Sequence, residues 1–209
     1  SSAAGADPAP RGAARLFPTF LKLDGRKVVL VGGGAVAAAK LPALLEAGAE
    51  VTVVAPTVNP ALERPGVTVL RRPFAPADLA GAWFAVAAAT PEANRQVRAA
   101  AEERGLFVNA VDDPEVATAY AGSILRRDGF TVAISTEGAA PALAGLLREG
   151  IDALVPHADV REWLERNRTL REGWRAHGVP LDQRRPLLLP ASNRLYEQRG
   201  VATGAGRPA

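Results

Sequence analysis

Three short clusters carry the residues that could do chemistry. The first is Gly32-Gly33-Gly34, which follows the apolar run Val28-Val29-Leu30-Val31 and leads at once into a helical pattern. Strand, tight turn, then helix is the order that cradles a dinucleotide pyrophosphate. Gly32 would make the tight turn and Gly34 would let the backbone approach the phosphates. Ala37 fills the third fingerprint position, where a small residue lets helix and strand pack closely. The helix start adds free N–H groups and the positive end of a dipole. A glycine turn in a sheet that binds nothing is the plainer reading of the same residues. The second cluster is Asn109-Ala110-Val111-Asp112-Asp113-Pro114, at the end of another apolar run. Ligands of open α/β sheets bind beyond the carboxyl ends of the strands, so a carboxylate there faces the cleft. Burial there raises its pKa toward the range useful for proton transfer. The same residues also make an ordinary Asp-Pro turn. The third cluster is Ser135-Thr136-Glu137-Gly138, ahead of Pro141. Hydroxyls and N–H groups at a helix start suit a carboxylate or phosphate, and they equally suit simple helix capping.

One expected group is missing. Dinucleotide-binding sheets usually place an Asp or Glu about 20 residues after the first glycine, at the end of the second strand, to receive the ribose hydroxyls. Here that strand ends in Ala55-Pro56, and only the hydroxyl of Thr57 is at hand. No Arg stands at the strand end to take a 2′-phosphate, so NAD is favoured over NADP.

The elements that must position these clusters follow from periodicity. Apolar runs at 27–31, 50–54, 67–70, 83–88 and 107–111 predict five buried strands. Helical patterns at 34–47 and 91–104 lie between them, each stopped by a glycine, Gly48 or Gly105. Val36, Lys40, Leu41, Leu44 and Leu45 would form the inner face of the first helix, and Pro42 would bend it. Strands that are apolar throughout and alternate with helices predict a Rossmann-like, doubly wound parallel sheet of the α/β class. Beyond Asp112 the pattern changes. Residues 120–126 and 130–135 flank an Asp128-Gly129 turn and read as an antiparallel hairpin. Helices follow at 141–154 and 158–178, the latter with Trp163, Leu164, Leu170 and Trp174 as packing residues, and a short one near 192–198. Residues 1–14 read as a flexible leader and 200–209 as a disordered tail. The divisions are then a dinucleotide-binding domain at 15–118, a hairpin-helix segment at 119–156 and a C-terminal helical region at 157–199.

Composition narrows the setting. The chain has 209 residues, of which 48% are hydrophobic, so it can build a sizeable core. It has no cysteine and two histidines, which removes thiolate chemistry, disulfides and His-rich metal sites. No metal site is predicted. No apolar run reaches the roughly 18 residues of a membrane span, and no signal peptide is visible. The expected setting is cytoplasmic, with no membrane partner. The charge of +3 is carried by arginine, much of it beyond residue 157. That excess suits either a solvated helix face or attraction of a polyanionic ligand. No basic patch interleaved with aromatics marks a nucleic-acid partner.

Taken together, the clusters resemble one family, the precorrin-2 dehydrogenases that stand alone or form the N-terminal region of siroheme synthases. The resemblance rests on Leu30 to Ala37, Leu45-Glu46-Ala47-Gly48-Ala49, Val53-Val54-Ala55-Pro56, Ala88-Ala89-Thr90 with Asn94, Asn109 to Pro114, and Ile134 to Gly138 with Pro141-Ala142-Leu143-Ala144. It covers about residues 16–156. The order and spacing of these segments are specific, although no single one is decisive. Ala140 stands where Ser is common, Pro42 lies inside the first helix, and Tyr120-Ala121-Gly122-Ser123 is less aromatic than usual.

The resemblance implies NAD-dependent oxidation of precorrin-2, a tetrapyrrole, to sirohydrochlorin in siroheme biosynthesis. It implies Asp112 as the catalytic acid/base. NAD would be held by Gly32, Gly33, Gly34, Ala35, Val36, Ala37, Pro56, Thr57 and Thr90. Asn109, Thr136 and Gly138 would lie on the substrate side. It also implies a homodimer formed by the hairpin-helix segment, and it makes the missing strand-two acid an ordinary feature. Three other readings stay open: an enzyme that also inserts Fe²⁺ into sirohydrochlorin, a non-catalytic NAD-sensing module, and another small-molecule dehydrogenase on the same fold.

Overall fold

The computed structural model describes residues 16–184 apart from 112, 114, 128 and 156, and the backbone alone at 157–159. The expected leader, the helix near 192–198 and the tail lie outside the described residues. The chain divides into two compact units, one up to Ala121 and one from Gly122.

The first unit holds a five-stranded parallel sheet in the order β3-β2-β1-β4-β5. Its strands are β1 (Lys27–Val31), β2 (Glu50–Val54), β3 (Val67–Leu70), β4 (Phe84–Ala87) and β5 (Phe107–Ala110). Helix α1 (Ala35–Glu46) joins β1 to β2 and α2 (Pro91–Glu102) joins β4 to β5. Alternation along β1 explains the two layers: Val28 and Leu30 pack with α1, while Val29 and Val31 pack on the other face with α2. The sheet is thus Rossmann-like and covered on both sides. The order reverses at β1, so the crevice between the carboxyl ends of β1 and β4 is the switch point where such sheets bind ligands.

One detail differs from the expectation. The inner face of α1 is Ala37, Leu41 and Leu44, spaced i, i+4, i+7, while Val36 is 46% exposed. Helix α1 runs through Pro42, as the pattern over 34–47 predicts. A second feature was not foreseen. Arg72, just past β3, makes a two-pronged ion pair with the buried Asp78 in the 3₁₀ turn Pro76–Leu79. Asp78 also accepts from the Ala75 N–H at 2.8 Å, and Lys27 Nζ donates to the Asp78 carbonyl at 2.9 Å. Hydrogen bonding to Arg72 holds the Asp78 carboxyl below its usual range.

The second unit begins with the hairpin of β6 (Ser123–Arg127) and β7 (Phe130–Ile134), paired antiparallel with Arg127 opposite Phe130. Helices α3 (Pro141–Leu154) and α4 (His157–Ala176) follow and pack on it. The first hairpin strand starts later than expected because Gly122 lies against the Ile134 backbone, where a Cβ would fall 2.6 Å from the carbonyl oxygen. The buried apolar side chains here are Leu125, Ala144 and Val160, and Arg127 is paired to Asp152 of α3. Trp163, Leu164, Leu170 and Trp174 are half-buried.

Candidate functional site: a dinucleotide cradle

The three glycines of the first cluster have different jobs. Gly32 has φ +132°, and a Cβ there would lie 2.6 Å from the Ala88 carbonyl carbon. Gly33 is closed in as well: a Cβ would overlap the Thr57 carbonyl oxygen and sit 2.9 Å from Ala55 Cβ. These two are required by the protein's own backbone. Gly34 is not, because a Cβ there would meet nothing within 4 Å. The open space at Gly34 is compatible with the glycine that faces the pyrophosphate in this type of turn.

The helix behind it is open to an anion. Gly34 is the N-cap of α1, no side chain caps the first turn, and no acidic residue stands in it. By contrast α2 is capped by Thr90, whose Oγ1 accepts from the Ala93 N–H at 3.4 Å, and has Glu92 in its first turn. The leading N–H groups of α1 thus lack an acceptor from a capping side chain, which suits the phosphates of a dinucleotide. Ala35 and Val36 are exposed at this start, while Ala37 is fully buried and serves helix-to-strand packing.

The walls of the crevice come from the strand ends. Gly33 O accepts from the Asn59 N–H at 2.8 Å, which holds the β2 exit loop against the turn. Pro56 and Thr57 on that loop are exposed. On the other side the Ala88 N–H donates to Val31 O at 2.8 Å, carrying the β4 exit loop along the glycine turn. Thr90 lies on this loop, exposed, with its hydroxyl oxygen used as the α2 cap. Asn94, which marked the family resemblance without a role of its own, is buried beneath, and its Oδ1 accepts from the Ala89 N–H at 3.0 Å.

No carboxylate stands at the end of β2. Strand pairing does bring Arg71 near it, because Val54 is opposite Leu70 and the Ala55 N–H donates to Leu70 O. That guanidinium is paired with Glu63 at 2.6 Å. Only the sheet register could have revealed this neighbour.

The second cluster is partly described. Asn109 is buried, and its Nδ2 donates to the Ala119 carbonyl at 3.0 Å, so its amide anchors the chain that leaves β5. Thr118 closes the outer edge of β5: its Oγ1 accepts from the Val108 N–H at 2.7 Å, while its own N–H and that of Ala119 donate to Val108 O. Asp113 Oδ1 accepts from the Val116 N–H at 3.3 Å, making the turn that the Asp-Pro pattern suggested. Asp112 lies outside the described residues.

The third cluster belongs to the second unit. Thr136 Oγ1 accepts from the Ala140 N–H at 3.1 Å, and Ser135 Oγ accepts from the Glu137 N–H at 3.1 Å. Glu137 and Gly138 both have left-handed backbone, φ +54° and +83°. The loop is thus a helix-start turn. The Ala140 bond occupies a lone pair of the Thr136 hydroxyl and leaves its O–H to donate, while no side chain caps α3 itself.

A doubly wound sheet with a glycine turn, an uncapped helix start and clear space above it defines the class of dinucleotide-binding domains. The chain belongs to the family described as "Putative NAD(P)-binding", which matches residues 19–123. It is 46% identical over 145 residues to siroheme synthase 1 of Aeromonas salmonicida and 42% identical over 145 residues to the siroheme synthase of Methylobacillus flagellatus. Each match takes in 67% of this chain, and the chain spans 31% of the length of those relatives. Among solved structures it is similar to SirC, a precorrin-2 dehydrogenase, with a TM-score of 0.63 and 25% identity over 84% of this chain and 88% of that one.

Proposed function

We propose that the chain oxidises precorrin-2 to sirohydrochlorin with NAD, on the route to siroheme. The observation that supports this most is the joint likeness: similarity to a precorrin-2 dehydrogenase over both units, and over 40% identity to siroheme synthases. A bare glycine turn would support nucleotide binding and nothing about substrate.

Bound NAD supplies the hydride acceptor. The chain's part is to hold it and to move a proton. The α1 N–H groups and the Gly32–Gly34 backbone bind the pyrophosphate, and the Pro56-Thr57 loop contacts the ribose in place of the usual acid. Asp112 takes the proton that leaves the substrate as the hydride departs, so two electrons and two hydrogens are accounted for. Its neighbour Val111 donates from N–H to Ala87 O at 3.2 Å, which brings the chain to the carboxyl edge beside β4 just before Asp112. The Thr136 hydroxyl and the Gly138 turn donate to carboxylates of the tetrapyrrole.

A cytoplasmic homodimer is part of the same reading. Leu143, Leu146, Leu147 and Leu154 of α3 are 47–75% exposed and fall on one stripe of the helix with Gly150 among them. Patches of that kind are covered in working assemblies. Among the described residues no helix is long and apolar enough to cross a membrane.

The test is anaerobic turnover of enzymatically made precorrin-2 with NAD, followed by absorbance. The wild-type chain is expected to form sirohydrochlorin. Asp112→Ala should lower kcat roughly 10²- to 10⁴-fold, the usual worth of general acid–base catalysis, with NAD affinity unchanged. No turnover by the wild type, or wild-type turnover by Asp112→Ala, would overturn the reading. Adding Fe²⁺ to the product in the same vessel reads out metal insertion.

A further inference from the structure

We infer that Asn94 is a positioning residue for the dinucleotide: it fixes the β4 exit loop, residues 88–90, against the glycine turn and so sets the width of the cofactor crevice. The inference rests on the proposed use of NAD and adds a residue to it.

Asn94 lies in the first turn of α2, a place where a polar side chain ordinarily turns to water, yet it is 5% exposed. Its burial has to be matched by hydrogen bonds, since an unpaired amide in an apolar setting is costly. Its Oδ1 reaches back over five residues to the Ala89 N–H at 3.0 Å. Its own backbone N–H donates to Thr90 O at 2.9 Å. The side chain and the main chain of one residue therefore hold both ends of the Ala89-Thr90 segment.

That segment is one wall of the crevice. Ala88 sits so close to Gly32 that no side chain fits between them, and the Ala88 N–H is tied to Val31 O at 2.8 Å. The opposite wall is held in the same manner, by the Asn59 N–H on Gly33 O at 2.8 Å. The glycine turn thus has a clamp on each side. The Asn59 clamp is made by backbone, whereas the Asn94 clamp depends on a side chain and can be removed by substitution. Without the Ala89 bond, the loop bearing Thr90 is tethered only at Ala88 and at the helix start, and the crevice loses its fixed width.

The role is distinct from that of a core residue. A core role predicts loss of stability with normal affinity in whatever protein remains folded. A positioning role predicts weaker NAD binding in fully folded protein. The experiment is calorimetric titration of the full chain with NAD alone, for wild type, Asn94→Leu and Asn94→Ala, with circular dichroism to confirm folding and steady-state kinetics on precorrin-2 beside it. Asn94→Leu keeps the side-chain bulk and removes the acceptor, and Asn94→Ala removes both. Both are expected to bind NAD roughly tenfold to hundredfold more weakly, with KM for NAD raised in step. Folded Asn94→Leu or Asn94→Ala with wild-type NAD affinity overturns the inference. If Asn94→Leu does not fold, Asn94→Ala decides alone. A wild-type chain that does not bind NAD overturns the cofactor reading itself. Because no tetrapyrrole is needed for the titration, failure of the substrate assignment leaves this result standing.

Discussion

Val28, Val29 and Leu30 of the first unit are fully buried, whereas Leu146 and Leu154 of the second are 65% and 75% exposed. The first unit has two apolar clusters, one on each face of a five-stranded sheet, and each is roofed by a helix of the same chain. Among its described residues the second has two strands, three buried apolar side chains, and a helix with four exposed leucines. An isolated two-stranded sheet is marginal in water and needs further packing. Burying one leucine contributes about 1.5–3 kcal/mol, so the α3 stripe holds a large unused stabilisation. The contrast separates a unit whose core closes on both faces of its sheet from a unit that leaves four leucines of one helix exposed.

The sharpest way to probe the self-contained unit is to add one methyl group at adjacent glycines. Gly33→Ala should shift the Thr57 backbone and lower Tm by roughly 6–12 °C, corresponding to about 3 kcal/mol of overpacking. NAD binding should be lost with it. Gly34→Ala places its methyl in open space, so Tm should stay within about 3 °C while NAD binding weakens at least tenfold or so. Melting curves and NAD titrations on the pair separate what the fold needs from what the ligand needs. Equal melting temperatures for the two variants would break that distinction.

The exposed stripe is probed by charge. Leu146→Glu should weaken self-association by roughly 10²-fold or more, because each copy loses about one buried leucine. Light scattering behind a sizing column reads the mass, and the NAD affinity of the first unit should be unaffected. A wild-type chain that is monomeric at tens of micromolar, or a Leu146→Glu dimer of wild-type strength, would remove the stripe as an interface.

The smallest effect concerns the polar knot at Arg72 and Asp78. Its carboxylate is held below the ordinary range in the folded chain, chiefly by the Arg72 hydrogen bond. The stabilisation is therefore present above the unfolded value, about 3.9, and is lost as pH falls through the folded one. Arg72 is exposed, so solvent screens the pair and its contribution is small. Asp78→Asn should lower Tm at pH 7 by roughly 2–6 °C, and the gap to wild type should close as the pH falls below about 4. A gap that persists in acid would show that the variant acts through something other than this charge.

What could be read without the structure was whatever repeats along the chain. The strands declared themselves because a doubly covered sheet makes them apolar throughout, and the glycine turn because its chemistry is local. The Arg72–Asp78–Lys27 knot was hidden, since its lysine is 51 residues from the aspartate. Val36 was placed on the inner face of α1 because periodicity ranks residues by type, and the small Ala37 proved to be the buried one. Thr136 and Asn109 stand out as site residues, and in the structure each also holds backbone, the first accepting from the Ala140 N–H and the second donating to the Ala119 carbonyl. Polar groups near a strand end or a helix start answer to backbone needs before ligand needs, and only coordinates reveal which need is met. The different tasks of Gly33 and Gly34 were likewise invisible in three identical letters.

The two outer edges of the sheet are closed by different means. Beyond β5 the chain itself folds back, with Thr118 and Ala119 bonded to Val108. Beyond β3 nothing comparable lies among the paired strands, for β3 ends the sheet. That strand is only four residues long, with Pro65-Gly66 before it and Arg71-Arg72-Pro73 after it. Short length, flanking proline and positive charge are the means by which natural sheets discourage strand-to-strand stacking between molecules. Arg71 and Arg72 stand at the edge-strand position where gatekeeper charges are placed. Trading Arg71 for an apolar residue would leave the Arg72–Asp78 pair in place and would show itself as precipitation in concentrated solution.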